Sequence, residues 1–138
     1  MITWVPEKYF DLVWEDARKH LLRAEGRFNG KCTVDDIGKL VAKGELDLWA
    51  VVDDRNEQEM VGAIVTRLFE TPRKRIMEIM ICAGDGLDDH LYESMKELEN
   101  FARLNHCDVM RVEGRKGWVR ALKPYGLNET STIVEKEL

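Results

Sequence analysis

The residues best suited to chemistry lie between Arg75 and Leu127. The apolar run Arg75–Ala83 (RIMEIMICA) meets a glycine turn, Gly84-Asp85-Gly86, and an amphipathic stretch opens near Asp88. A strand that turns through glycine into a helix leaves the first N–H groups of that helix without intrahelical partners. With the helix dipole behind them, those groups can hold a phosphate or a carbonyl oxygen. Asp85, Asp88 and Asp89 crowd the same turn and would repel an anion. Read structurally, Asp88 is an N-cap and Asp89 complements the dipole.

Glu78 is the second candidate, a carboxylate inside an otherwise apolar run. Such a group is costly to bury unless paired or hydrated. It is either a general base whose basicity burial raises, or half of an ion pair with Arg67 or Arg111 on a neighbouring strand. Basic residues gather around the same region: Arg67, Arg73, Lys74, Arg75, Arg111, Arg115, Lys116, Arg120 and Lys123. They suit phosphates, a nucleic acid or an acidic partner surface, or simply a charged surface balanced by the acids of the helices. Gly114 and Gly117 flank Arg115 and permit close backbone approach. Cys82 has no readable histidine partner and reads as a small buried residue rather than a nucleophile. His20, His90 and His106 lack ligand spacing and read as surface or cap residues, so no metal site is expected.

These residues need a scaffold, and the hydrophobic periodicity supplies one. Ile2–Val5 reads as a short strand, with Pro6 suited to the first turn of the helix that follows. Phe10, Val13, Trp14, Ala17, Leu21 and Ala24 recur at threes and fours, the stripe of a first helix. Thr33 with Asp36 predicts a capping box before a second helix, whose stripe is Val34, Ile37, Leu40 and Val41 and whose stop is Gly44. Leu46–Val52 and Met60–Phe69 read as an antiparallel hairpin around the polar stretch 53–59. Ile76–Cys82 has the two-sided apolarity of a covered central strand. Leu91, Met95, Leu98 and Ala102 mark a third helix, about Asp89 to Asn105, crossing to a parallel strand at Val109–Val112. A short helix at Lys116–Lys123 presents Trp118 beside Ala121 and Leu122, so Trp118 is expected to pack on the sheet. Thr130–Leu138 reads as a closing strand.

This order, with the glycine turn and the segment GRKGWVRALKPYGL, resembles the GNAT superfamily of N-acetyltransferases over nearly the whole chain. The resemblance implies an α/β domain at residues 1–138, with a mixed central sheet and helices on both faces. It also implies acetyl-CoA-dependent acyl transfer to an amine acceptor, a small molecule or a protein. The backbone at Met80, Ile81 and Cys82 would hold the pantetheine arm. Gly84, Asp85 and Gly86 would hold the pyrophosphate, with Arg115 nearby, and Glu78 or a water would accept the amine proton. The family signature (Q/R)-x-x-G-x-(G/A) has Ile81 at its first position in this chain. Leu122 occupies the place of the usual tyrosine acid, Arg115 that of an asparagine, and Tyr125 is out of register. The GR-x-GW segment looks like GNAT-related proteins encoded by tailed bacteriophages. The alternative function is therefore a non-catalytic virion or host-interaction module, with a phage or host protein as partner.

The bulk composition bounds the rest. The chain has 138 residues, of which 44% are hydrophobic and 34% charged, in the range of a folded domain. No apolar run reaches the roughly 20 residues of a membrane span. The N-terminus lacks the pattern of a secretory signal. A net charge of −5 makes nucleic-acid binding unlikely. The 3 cysteines form no CxxC pair, and a reducing cytoplasm, or a host cytoplasm or virion, is the expected setting.

Overall fold

A computed structural model describes residues 1–138 apart from 86 and 115, with the side chains of 56–58 also outside the description. Among these residues five strands form one sheet: β1 (Ile2–Trp4), β2 (Asp47–Asp53), β3 (Asn56–Glu70), β4 (Arg75–Gly84) and β5 (Val109–Val112), in the order β1-β2-β3-β4-β5. All pairings are antiparallel except β4 with β5, which is parallel. The apolar run at Ile76–Cys82 is thus an interior strand beside β3, which takes the middle place. Its parallel partner, Val109–Val112, is the one expected, reached through the third helix.

Among the described residues four α-helices cover the sheet: α1 (Phe10–Leu22), α2 (Val34–Ala42), α3 (Leu87–Leu104) and α4 (Gly117–Leu122). The capping box opens α2 as the sequence predicts. Asp36 N–H donates to Thr33 Oγ1 at 3.2 Å, and Thr33 N–H donates to Asp36 Oδ2 at 2.9 Å. On one face, Ala17 and Leu21 of α1 and Val34, Ile37 and Val41 of α2 pack on Leu48, Ala50, Ala63, Val65, Ile81 and Ala83. On the other face, Met95, Leu98 and Ala102 of α3 and Leu122 of α4 pack on Trp49, Val51, Ile64, Met77 and Ile79. Trp49 packs edge-on against Phe101 at 4.9 Å and donates its indole N–H to Thr66 Oγ1 at 3.0 Å, which settles the polar end of a buried ring.

Two expectations change. Thr130–Leu138 carries no strand. Its β-branched residues have the propensity, but propensity without a pairing partner does not make a strand. Ile133 and Val134 are exposed, and Glu135 ties the segment to Lys31 at 2.7 Å. Trp118 does pack with the α3 cluster, but is only half-buried. Among the described residues no helix is long and apolar enough to cross a membrane.

Candidate functional site

The site begins with an irregularity in β4. Thr66 faces Ile79, yet its neighbour Val65 faces Ile81, so Met80 has no partner on β3. One extra residue on one strand is a β-bulge, which bends the strand and re-aims the groups beside it. The bulge also resets the alternation. Met80 and Ile81 both contribute to the core on the α1/α2 face, while Ile79 and Cys82 contribute to the α3 face. Pairing with β5 stops at the same level, the last register pair being Ile79 with Val112. From Met80 to Gly84 the edge of β4 that faced β5 has no strand partner among the described residues. Unpaired backbone N–H and C=O groups at an interior strand must find partners elsewhere.

At the end of this edge Gly84 faces Gly62 across the strand pair. Gly84 has φ +144°, and a Cβ there would lie 2.3 Å from the Val61 carbonyl oxygen and 2.4 Å from Gly62 Cα. Its glycine is therefore required by the approach of β3, whatever binds nearby. Asp85 follows and accepts a hydrogen bond from Arg23, at the end of α1, at 2.6 Å. That contact holds the Asp85 carboxyl below the usual carboxylate range and places a guanidinium at the turn. Charge repulsion at this turn is accordingly weaker than the acidic sequence suggests. Gly86 and Arg115, both read as cofactor-binding, lie outside the described residues.

Beneath the edge is a cavity of about 20 Å³ with a mostly apolar lining, between β4, β5, α3 and α4. Ile79, Cys82, Ser94, Val112, Trp118 and Leu122 are among its walls. Ser94 Oγ is buried with no hydrogen-bond partner among the described residues. Nothing in the sequence marks Ser94, which sits inside the α3 stripe as a small residue. Cys82 is half-buried, and the apolar surroundings push its thiol up to about 12, which disfavours the thiolate at neutral pH. The Ile81 side chain is buried in the α1/α2 core, so only its backbone can meet a ligand. Leu122, which the GNAT resemblance sets where a tyrosine is expected, is 3% exposed.

Glu78 lies on the α1/α2 side of the sheet, two residues before the bulge. The register aligns it with Arg67 on β3 and Arg111 on β5. Arg67 Nε donates to Oε1 at 2.8 Å and Arg111 Nε to Oε2 at 2.5 Å. Both ion-pair partners named from the sequence are present at once. Each carboxylate oxygen already accepts a guanidinium N–H, so a proton taken up here must disturb an ion pair. Two other groupings were not expected from the sequence. Asp54, His90 and Glu93 bring ligand atoms within 4.8 Å of one another, and the Met1 ammonium lies among them, 2.8 Å from Asp54. His20 donates a ring N–H to the Met60 carbonyl at 2.9 Å. A histidine spaced three residues from a glutamate on α3 was a usable signal for the first; its partner Asp54 was not.

No protein-family model matches the chain, and no curated relative does either. Solved structures do. A probable acetyltransferase is 16% identical, covering 100% of this chain and 96% of its own at a TM-score of 0.67. A GNAT family acetyltransferase from Staphylococcus aureus is 10% identical, covering 100% and 98% at a TM-score of 0.65. A predicted acetyltransferase from Clostridium acetobutylicum, solved with acetyl-CoA, is 16% identical, covering 99% and 96% at a TM-score of 0.66. The chain therefore has a GNAT-like fold, a mixed five-stranded sheet with helices on both faces, shared with these acetyltransferases.

Proposed function

We propose that residues 1–138 form one GNAT-like domain that transfers an acetyl group from acetyl-CoA to an amine. The observation that carries this reading is the bulge at Met80 with the unpaired β4 edge beyond it. An extended arm bearing amide groups fits such an edge, because it can take the hydrogen bonds that β5 leaves open. The backbone of Met80, Ile81 and Cys82 would hold that arm. Gly84, Asp85 and Gly86, with the first turn of α3, would hold its phosphates, and Arg23 supplies positive charge there. Arg115 stays in the proposal on sequence grounds alone. Acetyl-CoA, when bound, supplies a thioester: the acceptor nitrogen bonds to the carbonyl carbon, the carbon–sulfur bond breaks, and the proton the amine gives up passes to a proton acceptor and from it to the departing thiolate. A backbone N–H at the bulge would steady the carbonyl oxygen as negative charge develops on it. Of the two proton acceptors, Glu78 and water, we favour water, with Glu78 holding its two arginines in place.

The test is thermal. A ligand at 100 times its dissociation constant stabilises by about 2.7 kcal/mol, so acetyl-CoA should raise the melting temperature and adenosine should not. No rise with either at millimolar concentration would retire the reading. A second reading is a non-catalytic module of a virion or host-interaction protein, favoured by Leu122 at the usual tyrosine position, buried in the α3 core. Mass spectrometry separates the two: the transferase acetylates a primary amine in a panel, whereas the module acetylates none.

A further inference from the structure

The geometry points to a preformed anion-binding site at Arg67 and Arg111, and we propose that it receives a carboxylate or phosphate group carried by the amine acceptor. The acceptor assignment rests on the transferase reading; the anion site does not.

The site is built from three adjacent strands. Arg67 and Phe69 project from β3 on the same face as Ala63 and Val65, Glu78 from β4, and Arg111 from β5. One carboxylate, 3% exposed, accepts an Nε–H from each guanidinium. Both guanidiniums also lie against one ring: Arg67 Cζ is 4.5 Å and Arg111 Cζ 4.8 Å from the Phe69 centroid. Two like charges are thereby held side by side on one carboxylate, and among the described residues no second acid pairs with either. The triad keeps a net positive charge, which a second anion would offset. Meanwhile the Nε positions are used inward. Among the described residues the outer nitrogens of both guanidiniums make no hydrogen bond to protein. The two side chains are 40% and 45% exposed, so those nitrogens reach solvent. Arginine forks suit planar carboxylate and tetrahedral phosphate oxygens. Glu78 and Phe69 already fix the two rotamers, so little side-chain entropy remains to be lost on binding.

Its position names the occupant. Glu78 is two residues from Met80, about 7 Å along the strand, on the face to which Met80 and Ile81 also turn. Gly84 is six residues away, about 20 Å. The pair is therefore close to where transfer would occur and far from the turn proposed for the cofactor phosphates. An acceptor with its amine a few bonds from an acidic group spans that gap; a plain alkylamine leaves the arginines unpaired.

The experiment follows the arginine side-chain Nε–H signals of the ¹⁵N-labelled full chain by NMR. Succinate and inorganic phosphate are added separately, with chloride at matched ionic strength as control. Saturable shifts at both Arg67 and Arg111, absent with chloride, are expected. The succinate and phosphate arms show which acid is preferred. Arg111→Lys keeps the charge but loses the fork, and should weaken the anion by about tenfold; Arg73→Gln, in the turn after β3, should leave it unchanged. Because the main readout is on the parent protein, an unfolded variant does not void the test. Shifts that never saturate, or that chloride reproduces, overturn the site. Coenzyme A displacing the anion from these same signals assigns the arginines to the cofactor's own phosphates and overturns the acceptor reading. Anion binding without any effect of acetyl-CoA on melting leaves the site standing and removes the transferase reading instead.

Discussion

Deleting Met80 should leave the fold intact and remove the proposed ligand edge. In the register, Thr66 faces Ile79 and Val65 faces Ile81, so Met80 is the extra residue. Without it, Ile79 and Ile81 become neighbours facing Thr66 and Val65, and the ladder runs on without a break. No other residue changes face, since Ile81, Cys82 and Ala83 already keep their alternation beyond the bulge. Stability then reflects two opposed terms. Losing a half-buried methionine costs about 1 kcal/mol, and closing the ladder returns about the same through one hydrogen bond. The net change should stay within about 1 kcal/mol, or about 4 °C in Tm for a chain of this length. Binding should change far more. If the bulge supplies two backbone hydrogen bonds to acetyl-CoA, at about 0.5–1.5 kcal/mol each, their loss weakens Kd by about 5- to 150-fold. Calorimetric melting and isothermal titration of parent and deletion variant read both quantities. An unfolded variant refutes the register argument. A well-folded variant that binds acetyl-CoA as the parent does refutes the role of the bulge.

Three further outcomes follow from single residues. Gly84→Val sets a Cβ 2.3 Å from the Val61 carbonyl at a φ of +144°; it should destabilise by about 3 kcal/mol or more in chemical denaturation, and a parent-like midpoint contradicts the close approach of β3. Cys82, its thiol pushed up to about 12 by its apolar surroundings, should be alkylated more slowly than Cys32 and Cys107 at mildly alkaline pH when followed by peptide mass mapping; Cys82 reacting first contradicts the raised thiol. Hydrogen bonds to Thr33 depress the Asp36 carboxyl, so the stability it contributes is present above the unfolded value of about 3.9 and is lost as pH falls through the lowered folded value. Acid titration of Asp36→Asn should show a shallower loss in that window, and an unchanged profile contradicts the capping role.

Much of this scaffold was legible because it is local. The stripe of α3 and the Thr33–Asp36 box depend on residues a few positions apart, where period and capping chemistry act directly; the parallel β4–β5 pairing, 33 residues apart, followed from the crossover through α3. The two arginine partners of Glu78 were legible for a related reason: a buried carboxylate between strands needs cations, and few stood at the right level. The bulge was not. Ile79, Met80 and Ile81 are all apolar, so a one-residue slip changes no pattern that composition records. The Arg23–Asp85 contact joins residues 62 positions apart, and no local rule links a helix end to a turn so distant. Thr130–Leu138 misled because strand propensity measures suitability for a sheet and says nothing about whether a partner edge is within reach.

The proposed function sets acetyl-CoA along the open edge of β4. Backbone amide shifts of the ¹⁵N-labelled protein, titrated with acetyl-CoA, test it most directly. Saturable shifts are expected, greatest from Met80 to Gly84 and in the first turn of α3, with β1 and β2 nearly still. No shift at millimolar acetyl-CoA, or shifts confined to surfaces away from β4, would contradict it.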